Sequence, residues 1–192
     1  MTATHNMARL RGRKQTGWGL LETIIVIGIV GGLLAYIVSN QTRADNGVAG
    51  NKLAEGTTTM VAGIKKRLVP SRTYAALSAS WLNSNGLVVE PFTWDGTNVK
   101  DPFGNSVNLT GVTTTFALTI GGTEQVPQDV CSTFASTMAP NATNINLGAA
   151  ATVSNGAVSG GTAYKTAANT DPVGTALSNC SATSNVIALQ FR

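Results

Sequence analysis

Side chains with versatile chemistry are scarce in this chain. Its 192 residues include one histidine, His5, and two cysteines, Cys131 and Cys180. Beyond residue 17 the chain has no histidine, so that part offers no Ser-His-Asp or Cys-His nucleophilic arrangement and no histidine ligand for zinc. Neither G-x-x-x-x-G-K-[ST] nor a G-x-G-x-x-G opening a helix occurs, so the usual phosphate-cradling loops are missing too. Charge is thin, at 11% of residues. Asp95-Gly96-Thr97-Asn98 and Asp101-Pro102 offer oxygen atoms, but they read as turns rather than as calcium ligands. Neither a cofactor nor a metal is expected, and an enzyme is not the natural reading.

Acid is absent from the first 17 residues, where Arg9, Arg11, Arg13 and Lys14 lie. Four of the thirteen Lys/Arg residues are therefore concentrated there, and the rest of the chain balances nine against nine Asp/Glu. The formal charge of +4 thus belongs to the leading segment. Beyond it the one compact basic run is Lys65-Lys66-Arg67, too little for a nucleic-acid footprint, so no nucleic-acid binding is expected.

Proline is absent from 18 to 69, and within that span lies the longest apolar run. Residues 18–38, WGLLETIIVIGIVGGLLAYIV, contain one charged side chain, Glu22. As a helix rising about 1.5 Å per residue, this run is about 30 Å long, the thickness of a bilayer's hydrocarbon core. The basic residues ahead of it predict a cytoplasmic N-terminus and an exported remainder. Glu22 is costly in such a helix and so marks a functional position. The exported part, poor in charge and rich in Thr, Ser, Asn, Ala and Gly, is about 125 residues of head, enough for one core. In an exported domain Cys131 and Cys180 are expected to be joined; two free buried thiols are the alternative.

No small-residue cleavage pattern of the conventional secretory kind follows residue 38. The small residue instead precedes the apolar run, as Gly17. A basic leader ending in Gly17, an apolar run beginning at Trp18 and Glu22 at the fifth position beyond the glycine together resemble the signal of type IV prepilins. Trp18 in place of phenylalanine, with a long leader, resembles the type IVb branch, and length and layout are similar to the major pilins of thin conjugative pili. The resemblance implies cleavage between Gly17 and Trp18 by a membrane peptidase and N-methylation of Trp18. It also implies extraction from the inner membrane by assembly machinery with a cytoplasmic ATPase, and polymerisation with copies of itself into an extracellular filament. The fold it implies is α+β: a long N-terminal helix packed on an antiparallel β-sheet head with a C-terminal disulfide. A type II secretion pseudopilin, a minor pilin, or a membrane-tethered periplasmic binding protein are the alternative readings.

Along the chain, residues 1–17 read as leader, 18–38 as membrane or filament-core helix, 39–69 as its amphipathic continuation, and 70–192 as the head. Leu53, Met60, Val61, Ile64 and Leu68 recur at helical spacing and define one buried face. A helix from about 19 to 68 is expected; Gly47, Gly50, Gly56 and Gly63 each weaken it, so a bend or break near 46–50 is the alternative. A second helix carrying Tyr74, Leu77, Trp81 and Leu82 is expected to stop at Asn85-Gly86. Strands are expected over 87–90, 92–94, 106–109 and 112–120, joined as an antiparallel meander. Pro127-Gln128-Asp129 opens a helix that buries Val130, Phe134 and Met138. Alternation at Ile145, Leu147, Ala149, Ala151 and Val153 predicts strand before a turn at Asn155-Gly156. Ile187, Leu189 and Phe191 predict a covered C-terminal strand.

Two features bear on assembly. Glu22 is expected to pair with the Trp18 amine of a neighbouring copy, which would set register between subunits. Gly28, Gly31 and Gly32 include a G-x-x-x-G spacing that admits close helix approach, unless they are merely tolerated there.

Overall fold

The computed structural model describes residues 18–71, 73–123, 126–168, 176–181 and 185–192, with backbone alone at 18–22, 39, 40, 42, 43, 69, 176 and 177. Gly17 lies outside the described residues, as do the side chains of Trp18 and Glu22. The chain divides into two compact units, Met1–Thr42 and Arg43–Arg192.

Helix α1 runs Trp18–Leu68, 51 residues, followed by a 3-10 turn, Val69–Ser71. Its second half is striped as the periodicity predicts: Leu53, Ala54, Thr57, Met60, Val61, Ile64 and Leu68 are buried, whereas Lys52, Glu55, Thr58, Thr59, Ala62 and Lys66 are exposed. Thr57 is buried to 0% exposure and satisfies its hydroxyl by donating to Leu53 O at 2.7 Å, the local bond available to a threonine inside a helix.

The helix is unbroken through 46–50, and three of its glycines lie in close contacts. A Cβ on Gly50 would lie 2.9 Å from Thr133 Cβ, and one on Gly56 would lie 2.6 Å from Pro91 Cδ and 2.7 Å from Glu90 O. One on Gly63 would lie 2.5 Å from Leu87 Cδ2. These three glycines let other elements approach the helix axis.

A five-stranded antiparallel sheet with order β3-β4-β9-β5-β8 forms the head. Its strands are β3 (Leu109–Gly111), β4 (Phe116–Gly121), β5 (Asn144–Leu147), β8 (Thr162–Lys165) and β9 (Val186–Phe191). The topology is not a meander. The C-terminal strand enters between β4 and β5, pairing Leu118 with Leu189 and Ile145 with Leu189 from its two sides. Every residue of β4 is buried, and β9 buries Ile187, Ala188, Leu189 and Phe191, consistent with the predicted covered position. Two small hairpins accompany the sheet: β1 (Thr93–Trp94) with β2 (Val99–Lys100), and β6 (Thr152–Ser154) with β7 (Ala157–Ser159). Asn155 and Gly156 join the second with φ of 49° and 68°, the two positive angles that a type I′ hairpin turn needs.

Helix α2 is shorter than expected, Ala79–Ser84, capped by Ser78, whose side chain accepts from Trp81 N. Tyr74 and Leu77 are buried outside it, and Tyr74 N donates to Val112 O at 2.9 Å. Helical spacing there comes from a turn, closed by Leu77 N donating to Tyr74 O, followed by the short helix. Residues 87–90 are not a strand either: Leu87 N donates to Leu82 O and Phe92 N to Val89 O, so local turns use the hydrogen bonds a ladder would need. Helix α3 (Gln128–Met138) starts after Pro127 and buries Val130, Cys131, Phe134, Ala135 and Met138. Cys131 is bonded to Cys180, which follows α4 (Ala176–Asn179).

Candidate assembly surface

The site residues singled out by the sequence fall mainly on the first half of α1, within the first compact unit. Every described side chain from 23 to 38 is exposed, the large apolar ones from 48% at Val30 and Ile37 to 69% at Tyr36. A helix segment that is apolar on all sides has no face that prefers water. Among the described residues no helix is long and apolar enough to cross a membrane; the side chains of 18–22 are not among them. Gly28, Gly31 and Gly32 differ from the glycines of the second half, because a Cβ on any of them meets nothing within 4 Å. Contacts within the described chain do not require them.

The second compact unit carries a groove that sequence reasoning did not anticipate. It lies between α1 and the segment around the cis Glu90–Pro91 bond, has a volume of about 690 Å³, and is lined by Lys52, Glu55, Thr59, Glu90 and Pro91 among others. Lys52, Glu55 and Glu90 are exposed. Lys52 and Glu55 lie three residues apart on α1, and their convergence with Glu90 depends on the Gly56 contact with Pro91.

Three polar anchors fix the head. Asp101, 3% exposed, accepts from the backbone N–H groups of Phe103, Asn105 and Gly121 and from Asn105 Nδ2. The turn foreseen at Asp101-Pro102 therefore also ties the chain after β2 to the end of β4. Asn185 Nδ2 donates to Val126 O at 2.8 Å, joining the approach to β9 with the approach to α3. Lys165 Nζ donates to Ala139 O and Ala142 O, placing a cation at the negative end of α3. Asp95 behaves as the turn residue expected. Its Oδ1 accepts from Asn98 N and Thr97 N. These two N–H groups hold its carboxyl below the usual 3.8, helped by Lys100 nearby.

The arrangement thus offers apolar helix surface, a charged groove and a head braced by hydrogen bonds and a disulfide. Among the described residues no group of three or more His, Cys, Asp or Glu could hold a metal ion.

No protein-family description matches the chain, and no curated protein does. Among solved structures it is similar to TcpA, a type IV pilin from Vibrio cholerae El Tor biotype. The identity is 19% and the TM-score 0.47, over 75% of this chain and 99% of that one.

Proposed function

We propose that this chain is the major structural subunit, a prepilin, of a type IVb pilus that mediates cell contact in conjugative mating or adhesion. One observation carries the reading. A processing-type signal, basic leader then Gly17 and Glu22, immediately precedes and enters a helix whose described side chains from 23 to 38 are all exposed. Such a segment has to be covered by something other than this chain.

In this reading residues 1–17 are a cytoplasmic leader, removed by a prepilin peptidase between Gly17 and Trp18, and the new Trp18 amine is methylated. Residues 18–38 hold the precursor in the inner membrane and later line the filament core, 39–69 continue the helix into the head, and 70–192 form the exposed head. Glu22 is neutralised by the Trp18 amine of the adjacent subunit. Gly28, Gly31 and Gly32, open in the single chain, admit neighbouring helices. Extraction is driven by an inner-membrane assembly machine with a cytoplasmic ATPase. The subunit itself is not an enzyme and takes no cofactor.

The deciding experiment is N-terminal sequencing and intact mass of the protein in fibres sheared from cells that express it. A chain beginning at N-methylated Trp18 is the expected result. A chain confined to the inner membrane with Met1 in place refutes the proposal. Glu22→Ala is expected to insert normally and to yield few or no fibres.

A further inference from the structure

We infer that the groove between α1 and the 89–93 segment is the docking site for the last turn of α1 in a second copy of this chain. This rests on the proposed function and names the contact between heads within the filament.

The groove is acidic and its acids are unanswered. Among the described residues Glu55 and Glu90 line it with one cation, Lys52. Among the described residues the one ion pair is Lys100 with Asp95, so neither glutamate is neutralised there. Its floor is preformed, because the missing side chain at Gly56 brings the backbone of Glu90 and the ring of Pro91 against α1. A preformed site loses little freedom on binding.

The complementary group lies on the same helix. The last turn of α1 carries Lys65, Lys66 and Arg67. Lys65 stands over the Phe191 ring, 6.0 Å from its centroid, and Arg67 Nη1 donates to Asn85 Oδ1 at 3.0 Å. Lys66 is exposed and, among the described residues, its side chain has no hydrogen-bond or ion-pair partner. Residues 55 and 66 are eleven apart, close to three turns, so they share one side of the helix about 16 Å apart along its axis. That separation is too long for one chain to pair Lys66 with the groove. A second copy can.

The contact is heterologous: the groove of one copy takes the basic turn of the next, leaving one groove and one basic turn free at the two ends. Such a contact propagates as an open fibre when its rotation does not close. Opposite charges across it favour the correct neighbour and penalise head-to-head pairings that oppose like charges.

Charge reversal tests this in cells expressing the full chain. Glu55→Lys with Glu90→Lys is expected to lower the yield of sheared fibres about tenfold, and Lys66→Glu with Arg67→Glu to do the same. All four together restore the pairing with its signs exchanged, and yield is expected to return to within about twofold of the unsubstituted chain. Immunoblots under non-reducing conditions check that each variant accumulates with its disulfide formed. Normal yield from the Glu55/Glu90 variant, or no recovery in the fourfold variant, overturns the inference while leaving the pilus reading intact. Absence of fibres from the unsubstituted chain overturns the pilus reading first, and this inference with it. Where a reversal variant fails to accumulate, Thr59→Cys with Lys66→Cys decides. Oxidised fibres are then expected to give a disulfide-linked ladder, and formed fibres without one refute the contact.

Discussion

Exchanging helical glycines for alanine separates two uses of glycine that the sequence does not distinguish. In a helix interior the exchange stabilises by about 1 kcal/mol where nothing obstructs the new methyl. Gly47 is such a position, since a Cβ there meets nothing within 4 Å. At Gly56 the same methyl would lie 2.7 Å from Glu90 O and 2.6 Å from Pro91 Cδ. A backbone oxygen and a proline ring cannot rotate away, so the helix and the 90–91 segment must separate, at a cost typical of overpacking, about 1–3 kcal/mol or more. Gly56→Ala is therefore expected to destabilise by up to about 2 kcal/mol or more net of the propensity gain. Gly63→Ala meets Leu87 Cδ2 at 2.5 Å, the mobile end of a half-buried side chain, and is expected to be nearly neutral. Gly50→Ala, 2.9 Å from the β-branched Thr133 Cβ, falls between these two. The measurement is guanidinium unfolding of the full chain in a mild detergent, followed by tryptophan fluorescence, with the four variants in parallel. The predicted order of midpoints is Gly47→Ala highest, then Gly63→Ala, Gly50→Ala and Gly56→Ala. A Gly56→Ala midpoint at or above that of Gly47→Ala refutes the argument that contact, not flexibility, explains the glycines of the second half.

Asp101→Ala removes the acceptor of three backbone N–H groups. Leaving buried donors unpaired predicts a loss on the order of 3 kcal/mol in the same unfolding assay; a loss below about 1 kcal/mol would show that water replaces the carboxylate fully. Replacing Cys131 and Cys180 by alanine opens a loop with a sequence separation of 49 and is expected to cost about 4 kcal/mol in the chain-entropy account, read as a lowered unfolding midpoint. For Asp95, the Asn98 and Thr97 N–H groups depress the carboxyl's folded-state value below 3.8. Its contribution is then present above the unfolded value and lost as pH falls through the folded one. An NMR titration is expected to give a midpoint below 3.8 for Asp95, and Asp95→Asn to flatten the acid limb of the stability profile. A midpoint at or above 3.8 contradicts the turn geometry.

The second half of α1 was legible because its signal is periodic and local. Leu53, Met60, Val61, Ile64 and Leu68 follow 3.6-residue spacing, and all five are buried. Helix α3 was legible for the same reason, with Pro127 at its entrance. The sheet order was not, because periodicity identifies a strand without naming its neighbour. Strand β4 pairs with β9, some seventy positions later (Phe116 with Phe191), and a meander was the default only in the absence of long-range information. Residues 87–90 misled in another way. Their apolar side chains are used against α1, with Leu87 over Gly63, while their backbone turns locally. The charged groove was illegible because it combines helical spacing, which can be read, with the approach of Glu90, which depends on an absent side chain at Gly56.

Under the proposed function, the two halves of α1 divide the work of assembly. Moving residues 23–38 from lipid into a bundle of like helices exchanges one apolar surrounding for another, so the hydrophobic effect contributes little to that step. Close packing at Gly28, Gly31 and Gly32 can contribute, but a surface that is apolar on all sides gives few reasons to prefer one axial register. Register must come from groups whose misplacement is costly. Within the apolar segment only Glu22 qualifies, since an unpaired carboxylate there is strongly disfavoured. In the second unit the candidates are Glu55 and Glu90, held in a groove where, among the described residues, Lys52 is the one cation. Two polar contacts, one near the start of α1 and one near its end, suffice to fix how far a copy slides along its neighbour. Removing either leaves the apolar helix able to associate but without a defined stagger. The Glu22 and Glu55/Glu90 variants are therefore expected to fail in the same assay for one physical reason, the loss of register.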